Sequence, residues 1–262
     1  MTIPLTEVGD VSALEQCIQS CKVSCSNCRL NSICLPQALE SGEFEALGNI
    51  IQHHKAIKKN RYLYQEGEKF RSVYVLRTGV VKAYRTTDNG LQQIIRFYYP
   101  GEVLGMDGIC NNFHASSAKS LEMASVCQIP FKSLQELSTV MPNLQHHVFR
   151  LMSRQITEDQ QLITLLSKNS AVERVASLIL SISIGNARRK LSATHLCLPM
   201  TRIDMGNYLG LTVETVSRAF GRLKKMGILQ VDNCEIEILD TAELRNLVKA
   251  YKPCGKSRCA MS

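Results

Sequence analysis

Between Val73 and Ile129 apolar and polar positions come in short bursts, each closed by a turn signal. Val73–Leu76 ends at Thr78-Gly79, Val80–Arg85 at Asp88-Asn89-Gly90 and Leu91–Tyr98 at Pro100-Gly101; Val103-Leu104-Gly105 and Ala124–Ile129 follow. Strands this short and evenly spaced predict a β-roll or jelly roll over about Ile57–Pro130. The period then changes. Pro142 opens a helical run to about Ser167, on which Met152, Ile156, Asp159, Ile163 and Leu166 follow steps of four and three. That is a heptad seam with one charged member. A seam this long between two domains predicts pairing with a second copy, in which two facing Asp159 carboxylates would oppose association. Ala171–Ile184 predicts a further helix.

The last third carries a different pattern. Thr201 with Asp204 three residues on predicts a capped helix that Gly210 stops; Thr212 caps a second helix, which Gly227 ends. Two short helices joined by a glycine turn form a helix-turn-helix. Val213, Val216, Phe220 and Leu223 make the second helix's apolar stripe, and Glu214, Ser217 and Arg218 lie opposite, with Arg222 and Lys224 beyond. Arg pairs with guanine, Glu accepts from cytosine, and small side chains pack on the thymine methyl. Thr212, Glu214, Ser217, Arg218 and Arg222 are therefore the candidate DNA-binding residues. Ile228–Val231 and Glu235–Ile238, around Asp232-Asn233, predict a wing, and Thr241–Tyr251 a closing helix.

The whole reads as an α+β chain: a cysteine-rich leader (1–40), a β-roll (41–141), a dimerisation helix (142–168) and a winged helix-turn-helix (169–262). No run approaches the roughly 18 apolar residues of a membrane span, and no signal pattern opens the chain, so a cytoplasmic protein with no membrane partner is expected. The net charge of +8 is unevenly placed: from Lys168 onward 15 Lys/Arg stand against 8 Asp/Glu. The positive excess coincides with the helix-turn-helix, as phosphate binding requires. No nucleophile–base arrangement, P-loop or dinucleotide loop is present, which argues against an enzyme. His53-His54 and His146-His147 lie on polar stretches and read as surface or dimer-edge residues.

Five of the eleven cysteines fall between Cys17 and Cys34, a clustering that suggests metal or redox chemistry. Cys25-x2-Cys28-x5-Cys34 is the densest part, and soft thiolates suit zinc or an iron–sulfur cluster. Three close ligands leave a fourth position, open to Cys21, Cys110 or Cys127.

Cys25-x2-Cys28-x5-Cys34-Leu35-Pro36, Val126-Cys127-Gln128-Ile129-Pro130, Met141-Pro142-Asn143-Leu144 and Asn207–Arg218 together resemble the CRP/FNR superfamily of bacterial transcription regulators over nearly the whole chain. Within it, the likeness is to the FNR-type oxygen sensors. The resemblance implies a 4Fe–4S cluster on Cys25, Cys28, Cys34 and Cys127 whose intact form favours a DNA-binding homodimer and which oxygen degrades. It implies recognition of a palindromic TTGAT-N4-ATCAA-like operator by Glu214, Ser217 and Arg218, RNA polymerase as a partner, and Asp159 as a brake on dimerisation. Arg29, beside the second ligand where the family has a small residue, departs from the pattern and would stabilise the cluster's negative charge. Two alternatives stand beside this reading. One is a zinc- or thiol-controlled regulator of the same fold. The other is a cyclic-nucleotide receptor, for which Gly101-Glu102 fits but Ser116-Ser117-Ala118 stands where the phosphate-binding Arg is needed.

Overall fold

The computed structural model describes residues 25–39 and 43–248. A short helix α1 (Phe44–Ile50) leads into strands β1 (Gln52–Ile57), β2 (Tyr62–Tyr64), β3 (Ser72–Thr78), β4 (Val81–Thr86), β5 (Gln92–Tyr98), β6 (Val103–Leu104), β7 (Ser117–Ser120) and β8 (Ala124–Pro130). They form two antiparallel sheets of order β1-β8-β3-β6 and β2-β7-β4-β5. Leu76, Val81, Leu104, Ala118 and Val126 fill the space between them. The expected roll is there, and Gly79 shows how its turns are fixed. It sits at φ +80°, and a Cβ there would lie 2.6 Å from the Met123 carbonyl oxygen, so only glycine fits.

Three strands of the roll were not legible. β1 is polar and carries no alternation; its register comes from β8, with Ile57 opposite Ala124. β2 spans only three residues, its bulged register set by β7. β7 buries Ser117 and Ser120, which is permissible because Ser117 accepts from the Glu66 amide and Ser120 donates to the Lys58 carbonyl.

Past the roll come α2 (Phe131–Val140), α3 (Pro142–Lys168), α4 (Ala171–Arg188), β9 (His195–Cys197), α5 (Arg202–Leu209), α6 (Val213–Lys225), β10 (Leu229–Asp232), β11 (Glu235–Ile238) and α7 (Thr241–Leu247). The expected long helix is α3, and the expected wing is β10-β11 with β9 added at its edge. α4 runs four residues past Ile184; the described helix α7 ends at Leu247, and Tyr251 lies outside the described residues. Leu35, Leu47, Ile129, Leu134 and Leu144 form a core joining the cysteine segment, the roll and the start of α3. Ile179, Met205, Leu209, Phe220, Leu223 and Ile236 form the winged-helix core. It continues onto Val80, Tyr84, Ile94, Phe97 and Leu121 of the roll, so the two domains are docked. Lys82 pairs with Asp204 at 2.6 Å, and Phe97 meets Tyr208 edge-on at 5.1 Å. The Asn207 side chain accepts from the Ile94 amide and donates to the Gln92 carbonyl. Among the described residues no helix is long and apolar enough to cross a membrane.

Candidate functional site

Two sites emerge, a reading helix and a thiol cluster. In the first, the Thr201 hydroxyl caps α5 and Asp204 returns the bond to the Thr201 amide, a complete capping box. Gly210 closes the helix in the left-handed region at φ +62°. A Cβ on Gly206 would lie 2.6 Å from the Leu211 carbonyl oxygen, so glycine lets the turn fold tightly against α5. Thr212 then caps α6 by accepting from the Thr215 amide. α6 buries Val216, Ala219, Phe220 and Leu223. Val213, expected in that stripe, is 38% exposed; it occupies the first helical position, ahead of the contact with α4, and Ala219 takes the fourth buried place.

Thr212, Glu214, Ser217, Arg218 and Arg222 are all exposed. Hydrogen bonds from its own backbone amide and from the Thr212 hydroxyl, together with the Arg218 charge, hold the Glu214 carboxyl below the ordinary value. It is therefore an acceptor at neutral pH. Arg202 was not foreseen: its guanidinium lies 3.7 Å from the Phe220 ring centroid and donates to the Asn233 carbonyl in the wing turn at 3.4 Å. It ties the two helices to the wing.

In the second site, Cys25 opens a 3-10 turn (Cys25–Asn27) and Cys34 precedes another (Leu35–Ala38). Cys127 lies in β8 between Val75 of β3 and His54 of β1. The four thiols lie within one another's electrostatic reach. Burial raises Cys34 well above the usual thiol range, with Cys127, Cys25 and Cys28 adding to it. Burial pushes Cys127 up to about 12, against the opposing pull of Arg77, with Cys25 and Cys28 raising it further. Burial and Cys28 raise Cys25, again against Arg77. Cys110 is exposed; Cys17, Cys21, Cys254 and Cys259 fall outside the described residues.

Such thiols remain protonated until a metal displaces their protons, so the donor set fits a thiophilic group. Among the described residues no three His, Cys, Asp or Glu converge as a single ion would require. Arg29, singled out in the sequence, is exposed; Arg77 is the cation that lowers Cys25 and Cys127. No sequence signal marked Arg77, because it reaches the site from β3 through the fold.

α3 separates two faces. Leu144, His147 and Leu165 are buried, whereas Phe149, Ile156 and Ile163 are 58–67% exposed. Of the predicted seam, Ile156, Asp159 and Ile163 are exposed and Met152 and Leu166 half-buried. Within the chain Asp159 accepts from Arg96 at 3.0 Å, a partner the seam did not reveal. His147 is not a surface residue. Its imidazole is 4% exposed, with the Cys34 backbone nearby, because its helix face looks onto the cysteine segment.

At the cyclic-nucleotide position, Asp107 accepts from Ser116 at 2.6 Å and faces His114, whose ring stacks on Tyr64. Burial would raise Asp107, but the bonds from His114 and Ser116 outweigh it and hold the carboxyl below its ordinary value. A phosphate there would meet an anion in place of a guanidinium.

Residues 54–139 match the cyclic nucleotide-binding domain model and residues 173–247 the Crp-like helix-turn-helix domain model. The chain is 44% identical over 227 residues to the anaerobic regulatory protein of Aggregatibacter actinomycetemcomitans, covering 87% of this chain and 88% of that one. It is 41% identical over 232 residues to the fumarate and nitrate reduction regulatory protein of Vibrio cholerae, covering 88% and 93%. The solved structure of FixK2 from Bradyrhizobium japonicum superposes with a TM-score of 0.68 at 31% identity, over 74% of this chain and 96% of that one. These relatives are regulators and not enzymes. With the capped reading helix, the wing and the roll in place, the chain belongs to the CRP/FNR family of DNA-binding transcription regulators.

Proposed function

We propose that this regulator responds to the absence of oxygen through a 4Fe–4S cluster held by Cys25, Cys28, Cys34 and Cys127, and binds a palindromic TTGAT-N4-ATCAA-like operator as a homodimer. One observation carries the reading: Cys25 and Cys34 from one segment and Cys127 from another pack against the same core as the start of α3, within electrostatic reach of one another. Relatives named for anaerobic regulation support it. When bound, the cluster would supply the reactivity toward oxygen; it takes one thiolate per metal and so needs the sulfurs spread around it.

The chain's own residues do the rest. Cys34 is followed by Leu35, which packs in one core with Leu144 of α3, so holding Cys34 in place holds the helix. On the other face of α3, Met152, Ile156, Ile163 and Leu166 would meet the second copy, with Asp159 limiting the strength of the seam. Two copies present two α6 helices to two half-sites, so a small loss of dimer becomes a large loss of occupancy. The basic C-terminal region supplies the phosphate contacts, and RNA polymerase is the partner that such a regulator would address.

The test is purification without oxygen, with iron, sulfide and zinc assayed and operator binding measured before and after air is admitted. About four iron and four sulfide per chain, lost in air together with operator binding, is the expected outcome. Cys127→Ser should abolish iron retention and Cys110→Ser should not. A colourless chain holding one zinc and binding the operator in air would overturn the proposal in favour of a zinc regulator.

A further inference from the structure

The wing carries two thiols that neither the reading helix nor the four-cysteine set uses. Cys197 ends β9 and Cys234 lies in the wing turn next to Asn233, their Sγ atoms 4.0 Å apart. Both are exposed. The backbone between them is fixed: Cys197 is in register with Glu235 of β11, and the Leu198 amide donates to the Cys234 carbonyl at 2.8 Å. Asn233 beside them takes the left-handed conformation at φ 53°, which turns the chain so that Cys234 lies alongside β9. Closing a bond therefore asks for side-chain rotation and little backbone movement. The intervening residues include all of α5, α6 and β10, so the bond would close the chain around the entire helix-turn-helix.

We propose that Cys197 and Cys234 form a reversible disulfide that braces the reading domain, a redox site separate from the cysteines beside α3. The oxidant is a low-molecular-weight disulfide. One protein thiolate attacks a sulfur of the small disulfide and expels one small thiolate, leaving a mixed disulfide. The second protein thiolate attacks the protein sulfur of that adduct and expels the other small thiolate. Two protein thiols are oxidised, one disulfide is reduced to two thiols, and the two protons pass to the leaving thiolates. A transient disulfide of this kind is the form expected in a reducing compartment.

The surroundings set the rate. Partial burial, Cys234, Glu122 from the roll and Glu235 all raise the Cys197 thiol. The thiolate is the nucleophile, so closure should accelerate as pH rises.

The full chain is incubated anaerobically with oxidised glutathione, alkylated under denaturing conditions and mapped by mass spectrometry. A Cys197–Cys234 cross-linked peptide that forms before other pairings, forms faster at higher pH and vanishes with dithiothreitol is expected. With it, unfolding of the winged-helix domain should shift upward by roughly 5–10 °C. Neither change should occur in Cys234→Ser. Alkylated Cys197 and Cys234, a stalled glutathione adduct, or pairing of either with another cysteine would overturn the site. A cross-link that leaves the melting point in place would overturn its bracing role.

Discussion

Arg77 shows how a charge can belong to a site without lying near it in the chain. Its guanidinium, half-buried on β3, pulls the thiols of Cys25 and Cys127 down while burial pushes them up. Arg77→Gln removes that pull, and if the proposed cluster is present its absorbance should decay several-fold faster after air is admitted. Arg29→Ser should leave the decay nearly unchanged, and the reverse ranking would return the role to the sequence neighbour. The cysteine triplet was readable because spacing in one short segment is a local property. The proposed fourth ligand stayed open between Cys21, Cys110 and Cys127, since only the β8 register puts Cys127 within electrostatic reach of Cys25 and Cys28. His147 misled for a related reason: its neighbours are polar, yet its helix face is covered by the Leu35 segment.

At the level of elements, α3 and α6 were the most legible, because capping residues and a long apolar period announce themselves. What the period of α3 could not show was Arg96, which comes from β5 and pairs with both Glu158 at 2.8 Å and Asp159 at 3.0 Å. That pairing changes the expected behaviour of the seam. In the proposed seam two facing Asp159 carboxylates would repel, and the Arg96 of each chain would offset part of that repulsion. Arg96→Gln should weaken dimerisation several-fold by analytical ultracentrifugation, whereas Asp159→Ala should strengthen it. In the Asp159→Ala background most of the Arg96→Gln effect should disappear; two independent, additive effects would mean that Arg96 acts elsewhere. The strands β1, β2, β7 and β9 were opaque because each is short or polar and is defined by its partner more than by its own residues.

For the whole molecule, the junction between roll and reading domain was the least legible feature, being built from single residues of both. Asp204 serves it twice, with one oxygen on the Thr201 cap and the other on Lys82. Burial would raise its carboxyl, but Lys82 and Thr201 outweigh that and hold it below the ordinary 3.8. A lowered folded-state value contributes stability that is present above the ordinary value and is lost as pH falls through the lowered one. Asp204→Asn should cost about 1–3 kcal/mol near neutral pH and flatten the acid limb below pH 4 in calorimetry. Lys82→Met, which spares the cap, should cost less; equal losses would mean that the cap contributes nothing. The Asn207 bonds to Gln92 and Ile94 have a different consequence. β5 is the outermost strand of its sheet, and these bonds occupy part of the row of backbone groups that would otherwise be open to another chain's strand. The reading domain thus chaperones the roll: swinging it away would uncover a sticky border and make self-association into aggregates a hazard.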